Sequence, residues 1–296
     1  MSASEAESGG APGVQTDYSD SELSYNRFME PALRNALASL DLPPDSRGVD
    51  LGCGPGGLFA LLDDMTGHSA QITGLDISAG HLETARREIA RQDLGARFDV
   101  MQANLRDALP FPDDTFDWAW TADTLNSATD EGPFPDPVEV LREARRVVRP
   151  GGIVACFLTN RLGAIYLPGY AAIEHHLATA VSVRYNKKDR VHPSFRNENP
   201  LAWFQAAGLR DVILSPHVVL YEQPLPPRVR AYIHRYIFEA EYGPAEDLKP
   251  YALGVGLTED DWQTWLDISD PGSPQYLLAQ PAYYCLRYAV MAVGRV

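Results

Sequence analysis

From Arg47 to Leu158 the chain alternates two kinds of hydrophobic run that differ in period. Gly48–Leu51, Gln71–Asp76, Arg97–Gln102, Phe116–Thr121 and Gly152–Leu158 are short, apolar and bounded by Gly, Asp or Pro, which predicts strands. Between them, Leu58–Met65 and Ala79–Asp93 carry apolar residues at helical spacing. A further helix opens at Asp136-Pro137-Val138-Glu139, where a capping acid, a proline at the first helical position and a glutamate three residues after the cap form a start signal. Strands and helices in alternation predict an α/β fold with a parallel sheet covered on both faces.

The flanks follow another rule. Tyr18–Leu40, with Phe28, Leu33, Leu37 and Leu40 near helical spacing, predicts one or two helices within residues 16–45 that cap the mouth of a cleft. Residues 46–160 form the expected core. After Asn160 the alternation breaks, and residues 161–198, rich in Tyr and His, precede a helix at Pro200–Ala207 and a strand at Val212–Tyr221. A proline-marked helical excursion over 226–270 follows, and the closing strand Tyr283–Val293 falls in 271–296. Long uncommitted segments in compact domains are usually functional lids or carry their own helices, so 161–198 and 226–270 are read as cap insertions into one domain spanning 16–296. Residues 1–15 are small, acidic and without periodicity; disorder is expected there, and they lack the basic and apolar regions of a signal peptide.

Composition narrows the function. A chain of 296 residues with 45% hydrophobic content can bury a full core. A net charge of −15 with only Lys187, Lys188 and Lys249 as lysines argues against a nucleic-acid partner, which needs clustered cations to displace counterions. No run reaches the roughly 18 apolar residues of a membrane span. Cys53, Cys156 and Cys285 are odd in number and far apart, as in a reducing cytoplasm. No metal site is expected: His175 and His176 would point about 100° apart on a helix, with no ligand one turn on.

The chemistry concentrates at Val49-Asp50-Leu51-Gly52-Cys53-Gly54-Pro55-Gly56-Gly57, an apolar strand end entering a glycine-rich turn, followed about twenty residues on by a second strand end, Gly74-Leu75-Asp76. Glycines allow a tight strand-to-helix turn and close approach of a ligand to the main chain, and an acid at the second strand end can accept both hydroxyls of a ribose. Such a pair grips a nucleoside. The dinucleotide pattern is satisfied too, but Asp50 would repel a pyrophosphate, whereas it would attract the ammonium and sulfonium of S-adenosylmethionine. No Gly-Lys-Ser/Thr follows, so a P-loop is not indicated.

Asp50-Leu51-Gly52-Cys53-Gly54-Pro55-Gly56, Leu109-Pro110-Phe111-Pro112-Asp113-Asp114-Thr115-Phe116-Asp117 and Arg145-Arg146-Val147-Val148-Arg149-Pro150-Gly151-Gly152, in that order and spacing, resemble the class I S-adenosylmethionine-dependent methyltransferases. The likeness is to the branch that includes the ubiquinone/menaquinone methyltransferases and many natural-product enzymes, and it covers roughly residues 45 to 160. It implies a Rossmann-like, doubly wound, seven-stranded, mostly parallel sheet with an antiparallel edge strand. It also implies cofactor contacts: Asp50, Gly52, Gly54 and Gly56 at the methionine end, Asp76 at the ribose, Ile77 on the adenine face, Asn104 and Leu105 at the adenine edge, with Tyr25 and Thr121 completing the site. Asn104 stands where the family usually has Asp but keeps the acceptor oxygen; a solvated turn residue is the plainer alternative.

The acceptor side is harder to read. Asp123, at the carboxyl end of a strand, is a candidate catalytic acid–base group, though an acid capping the next helix is as good an account. Asn126 stands where many relatives have His and is assigned to the substrate with Tyr166 and Tyr170, while His175 and His176 could supply a base near neutral pH. The combined reading is a cytoplasmic methyltransferase using S-adenosylmethionine and releasing S-adenosylhomocysteine. Its acceptor would be a small apolar or aromatic molecule, oxygen the favoured acceptor atom, in natural-product biosynthesis. A non-methylating reaction such as cyclisation on the same fold, an NAD-dependent oxidoreductase and a non-enzymatic binding module stay as rivals, and a homodimer is left open.

Overall fold

The computed structural model describes residues 18–125, 136–186, 199–243 and 247–296. The N-terminal segment expected to be disordered, Asn126, Lys187 and Lys188 lie outside them. Among the described residues, β1 (Arg47–Leu51), β2 (Gln71–Asp76), β3 (Phe98–Gln102), β4 (Phe116–Ala122), β5 (Val148–Ile165), β6 (Arg210–Glu222) and β7 (Tyr284–Arg295) form one sheet in the order β3-β2-β1-β4-β5-β7-β6. The strands from β3 to β5 are parallel, and β7 runs against both β5 and the outermost β6. The sheet is therefore Rossmann-like and doubly wound, with β7 supplying the antiparallel component near one edge. Its strand order reverses between β1 and β4, so the carboxyl ends of those strands open on a crevice, the place where open α/β sheets take ligands.

Helices cover both faces and produce two apolar cores. On one face lie α1 (Tyr18–Ala38), α2 (Phe59–Met65), α3 (Ala79–Arg91), α5 (Ala171–Asn186), α7 (Pro227–Tyr232) with the π-helical segment Ile233–Glu241 that continues it, α8 (Lys249–Gly254) and α9 (Glu259–Ser269). On the other lie α4 (Pro137–Val147) and α6 (Pro200–Ala206). Local signals set the helix starts: Asp136 accepts from Val138 N at 2.9 Å, Ser78 from His81 N at 3.3 Å, and Thr258 and Asp261 form a capping box. The segment expected as one or two N-terminal helices is one, α1, which buries Phe28, Met29, Ala32, Leu33, Ala36 and Leu37 at helical spacing. Among the described residues no helix is long and apolar enough to cross a membrane.

Two departures from the sequence reading bear on the site. β5 continues past Leu158 to Ile165, because Ala164 and Ile165 pair with Arg287 and Leu286 of β7 beyond an irregularity after Thr159. The first residues of the expected cap are therefore strand, and they bring Arg287 beside β5. Gly48 is also tightly specified: a Cβ there would enter the ring of Trp118, whose Nε1 donates to Ser46 Oγ at 2.9 Å. That contact fixes the register of β1 against β4, and hence where the glycine turn meets the crevice.

Candidate functional site

The turn after β1 is tied to β2 by Gly52 N and Cys53 N, which donate to Leu75 O at 2.7 and 2.8 Å. Gly52 and Gly54 have φ of +79° and +53°, the left-handed region, so the turn needs glycine there. A Cβ on Gly54 would stand 2.6 Å from Glu22 Oε2, and one on Gly56 would stand 2.8 Å from the ring of Phe59. Helix α1 thus lies directly over the turn.

Acids crowd this turn. Asp76 Oδ2 accepts from Gly54 N at 3.0 Å, its Oδ1 accepts from Ser78 N at 2.8 Å, and His81 Nδ1 lies 3.4 Å away. Asp50 is only 2% exposed, and its Oδ2 has no hydrogen-bond partner. Burial, reinforced by the charge of Asp76, pushes the Asp50 carboxyl up to about 7. Burial also raises the Cys53 thiol, and the charges of Asp50, Asp76 and Glu22 raise it further. An orphaned buried carboxylate oxygen beside main chain with no room for a side chain is complementary to a ligand cation and repels a pyrophosphate.

The residues assigned to adenine line the neighbouring strand ends. Ile77 is an exposed apolar side chain, at 44%, and its carbonyl accepts from Gln102 Nε2 at 2.8 Å. Asn104 Oδ1, expected at the adenine edge, accepts from Arg106 N at 3.1 Å and so serves a local turn; Leu105 beside it is half-buried. Thr121 on β4 is buried with Oγ1 unpartnered.

At the end of β4, Asp123 adopts φ +52°, and its carboxylate anchors a cluster among the described residues. Its Oδ1 accepts from Thr159 N at 2.6 Å and Thr159 Oγ1 at 3.0 Å, while its Oδ2 accepts from Tyr25 Oη of α1 at 2.5 Å. Burial and the adjacent charge of Asp123 hold the Tyr25 hydroxyl protonated well above the ordinary tyrosine range. Next to Asp123, Thr124 Oγ1 donates to Gly52 O at 3.3 Å, which links the cluster to the glycine turn. On the far side, Arg287 Nη2 donates to Thr159 Oγ1 at 3.3 Å and its Nη1 donates to Tyr166 Oη at 3.0 Å. Tyr166 is held in turn by Glu174, which accepts from Tyr166 N at 2.5 Å and Leu167 N at 3.2 Å.

Tyr25, expected at the cofactor, is thus brought together with the acceptor-side candidates Asp123 and Tyr166, while the other acceptor-side candidates are not. His175 is exposed on α5, and the ring of His176 lies by Gly256, with Nε2 3.2 Å from where a Cβ would stand. Neither hydrogen-bonds to Tyr25, Asp123 or Arg287, because the inward face of α5 at this level is taken by Ile173, Glu174 and Leu177. Tyr170 closes a turn by donating its N–H to Leu167 O at 2.9 Å and packs against the larger core. The sequence reading missed Thr159 and Arg287. The signal for Arg287 was an arginine in register with Cys285, Ala289 and Met291, the buried face of the closing strand.

Residues 49–156 match the family model described as a methyltransferase domain. A demethylmenaquinone methyltransferase of Bacillus mycoides is 25% identical over 209 residues, covering 68% of the chain and 84% of that protein. One of Lysinibacillus sphaericus is 30% identical over 136 residues, 46% of the chain and 53% of that protein, so that alignment spans about half the length of the relative. Among solved structures, the YcgJ protein of Bacillus subtilis superposes with TM-score 0.53 at 17% identity, over 89% of the chain and 97% of its own. A geranyl diphosphate methyltransferase in complex with S-adenosylmethionine superposes with TM-score 0.51 at 18% identity, over 97% and 93% of the two chains. Both share the fold.

Proposed function

We propose, on the premise that the chain belongs to the class I S-adenosylmethionine-dependent methyltransferases of the ubiquinone/menaquinone-like branch, that it transfers a methyl group from S-adenosylmethionine to a small apolar or aromatic molecule. The observation that carries this reading is Asp50, buried, orphaned at Oδ2 and opposed by the further acid Asp76 at a glycine-rich turn. The residues fit the cofactor: Asp50 would take the ammonium, Asp76 the ribose hydroxyls, Ile77 the adenine face, and Asn104 and Leu105 the adenine edge. When bound, S-adenosylmethionine supplies an activated methyl on a sulfonium whose leaving group needs no proton, so positioning and exclusion of water carry most of the rate.

The chain's own part is to orient the acceptor and receive its proton. We assign that role to Asp123, whose Oδ2 accepts a hydrogen bond from Tyr25 Oη at 2.5 Å, a contact that supports the assignment. Oxygen is the acceptor atom this arrangement serves best, since a hydroxyl must lose a proton on methylation. The Tyr25, Tyr166 and Tyr232 rings, with Phe28 stacked on Tyr232 at 4.5 Å, give the acceptor an aromatic wall, in keeping with the quinone-type substrate named for the menaquinone-pathway relatives.

Cofactor affinity should depend on pH in a direction set by Asp50. Its carboxyl keeps a proton to about pH 7 in the folded protein. The unfolded chain releases that proton at about pH 3.9. The native state therefore binds more protons between those values, and without ligand the protein loses stability as pH rises from about 4 to 7. Pairing with an ammonium needs the ionised form, so affinity for S-adenosylhomocysteine should climb from about pH 5.5 to 7, by at most about tenfold per pH unit, and then level off. Asp50→Asn should bind more weakly and show a flat profile. Calorimetry over this range checks it, and a wild-type profile as flat as that of the variant would remove Asp50 from the site.

A further inference from the structure

Arg287 is the arginine the mechanism leaves unexplained. Several arginines of this acidic chain meet carboxylates directly: Arg97 with Asp63 at 2.7 Å, Arg146 with Glu143 at 2.7 Å, Arg149 with Asp117 at 2.5 Å. Arg287, only 9% exposed, has no carboxylate oxygen of the described residues within ion-pair distance. Its two terminal nitrogens are taken by neutral hydroxyls, those of Tyr166 and Thr159, and its guanidinium lies 5.5 Å from the centre of the Tyr25 ring. Its Nε–H is buried with no partner. Asp123 meets it only through the intervening hydroxyl of Thr159 and the ring of Tyr25.

The charge of Glu241 favours the guanidinium without pairing with it directly, so a buried charge that cannot be shed keeps a donor that an anion could complete. Arg287 lies against Tyr25 and Tyr166, two of the rings proposed for the acceptor, and the Tyr25–Asp123 cluster is joined by Thr124 to the glycine turn. An outer recess of about 170 Å³ has Phe28 and Tyr232 in its wall together with Arg27, Arg228, Arg235 and Asp20, so arginines gather beside the aromatic wall in a chain of net charge −15. We propose that Arg287 is a specificity-determining residue that holds an anionic oxygen of the methyl acceptor, a carboxylate or an ionised enol or phenol, at Nε. That oxygen is an anchor on the aromatic acceptor, separate from the atom that is methylated. The inference rests on the methyl-transfer reading and names the acceptor class for it.

The test uses the full-length protein with saturating S-adenosylhomocysteine and two probes of nearly equal shape: 2-hydroxy-1,4-naphthoquinone, an anion at neutral pH, and its neutral 2-methoxy ether. Quenching of tryptophan fluorescence at pH 7.5 reads both affinities. Wild type should prefer the anion at least tenfold, Arg287→Lys should keep part of the preference, and Arg287→Gln should lose it while binding S-adenosylhomocysteine within twofold of wild type. The wild-type preference needs no variant, so it stands as a test even where Arg287→Gln fails to fold. Equal binding of the two probes by wild type, binding of neither, or an undiminished preference in folded Arg287→Gln overturns the inference. Failure of wild type to bind S-adenosylhomocysteine would instead bring down the methyl-transfer reading beneath it.

Discussion

Gly52→Val is expected to lower affinity for S-adenosylhomocysteine by more than about a hundredfold, which corresponds to about 2.7 kcal/mol. The substitution has two effects. At φ +79° a branched side chain is forced into the left-handed region, and its Cβ would stand 2.8 Å from Cβ of Thr124, closer than carbon atoms pack. Left-handed backbone costs roughly 1–2 kcal/mol of folding stability for a residue with a Cβ, in free and bound protein alike. The affinity is lost through the clash, which displaces Thr124 and the turn it is bonded to at Gly52 O. Gly67→Val separates the two: Gly67 has φ +63°, and a Cβ there would meet nothing within 4 Å, so it shares the backbone penalty without the clash. It should lose stability in urea denaturation yet bind the cofactor product like wild type. Equal affinity in Gly52→Val and Gly67→Val would show that the turn does not touch the ligand.

Asp123→Asn should leave S-adenosylhomocysteine affinity nearly unchanged and cut turnover of a hydroxyl acceptor by about 10²–10⁴-fold, the range for losing a positioned acid–base group. The amide keeps the shape and one oxygen for the Thr159 bonds but accepts a proton poorly. Tyr25→Phe removes the 2.5 Å bond to Asp123 while leaving the carboxylate, so it should cost less. Single-turnover assays at saturating cofactor check both. An acceptor that methylates at wild-type rate in Asp123→Asn would mean that its proton leaves by another path.

How much could be read in advance follows from how local each signal is. β1, β2 and β4, the glycine turn, Asp50 and Asp76 were legible because a strand-to-helix turn and its acids are written within a few consecutive residues. The cap over 226–270 was legible as helical, but not the π-helical Ile233–Glu241, which carries no sequence punctuation of its own. The extension of β5 to Ile165 was hidden because it depends on β7, and the Thr159–Arg287 bond joins residues 128 positions apart. His175 and His176 drew attention by residue type; the face of α5 on which each falls was set by packing around Glu174, which no short-range pattern records. Asn126 lies outside the described residues.

Whether an acidic, glycine-rich turn holds S-adenosylmethionine rather than a dinucleotide is decided by isothermal titration of the wild-type protein at pH 7.5 with S-adenosylhomocysteine and, separately, with NADH. One saturable site per chain is expected for S-adenosylhomocysteine, weakened about tenfold to a hundredfold in Asp76→Ala by loss of charge-assisted hydrogen bonds, with no binding heat from NADH. Saturable binding of NADH with none of S-adenosylhomocysteine would contradict it.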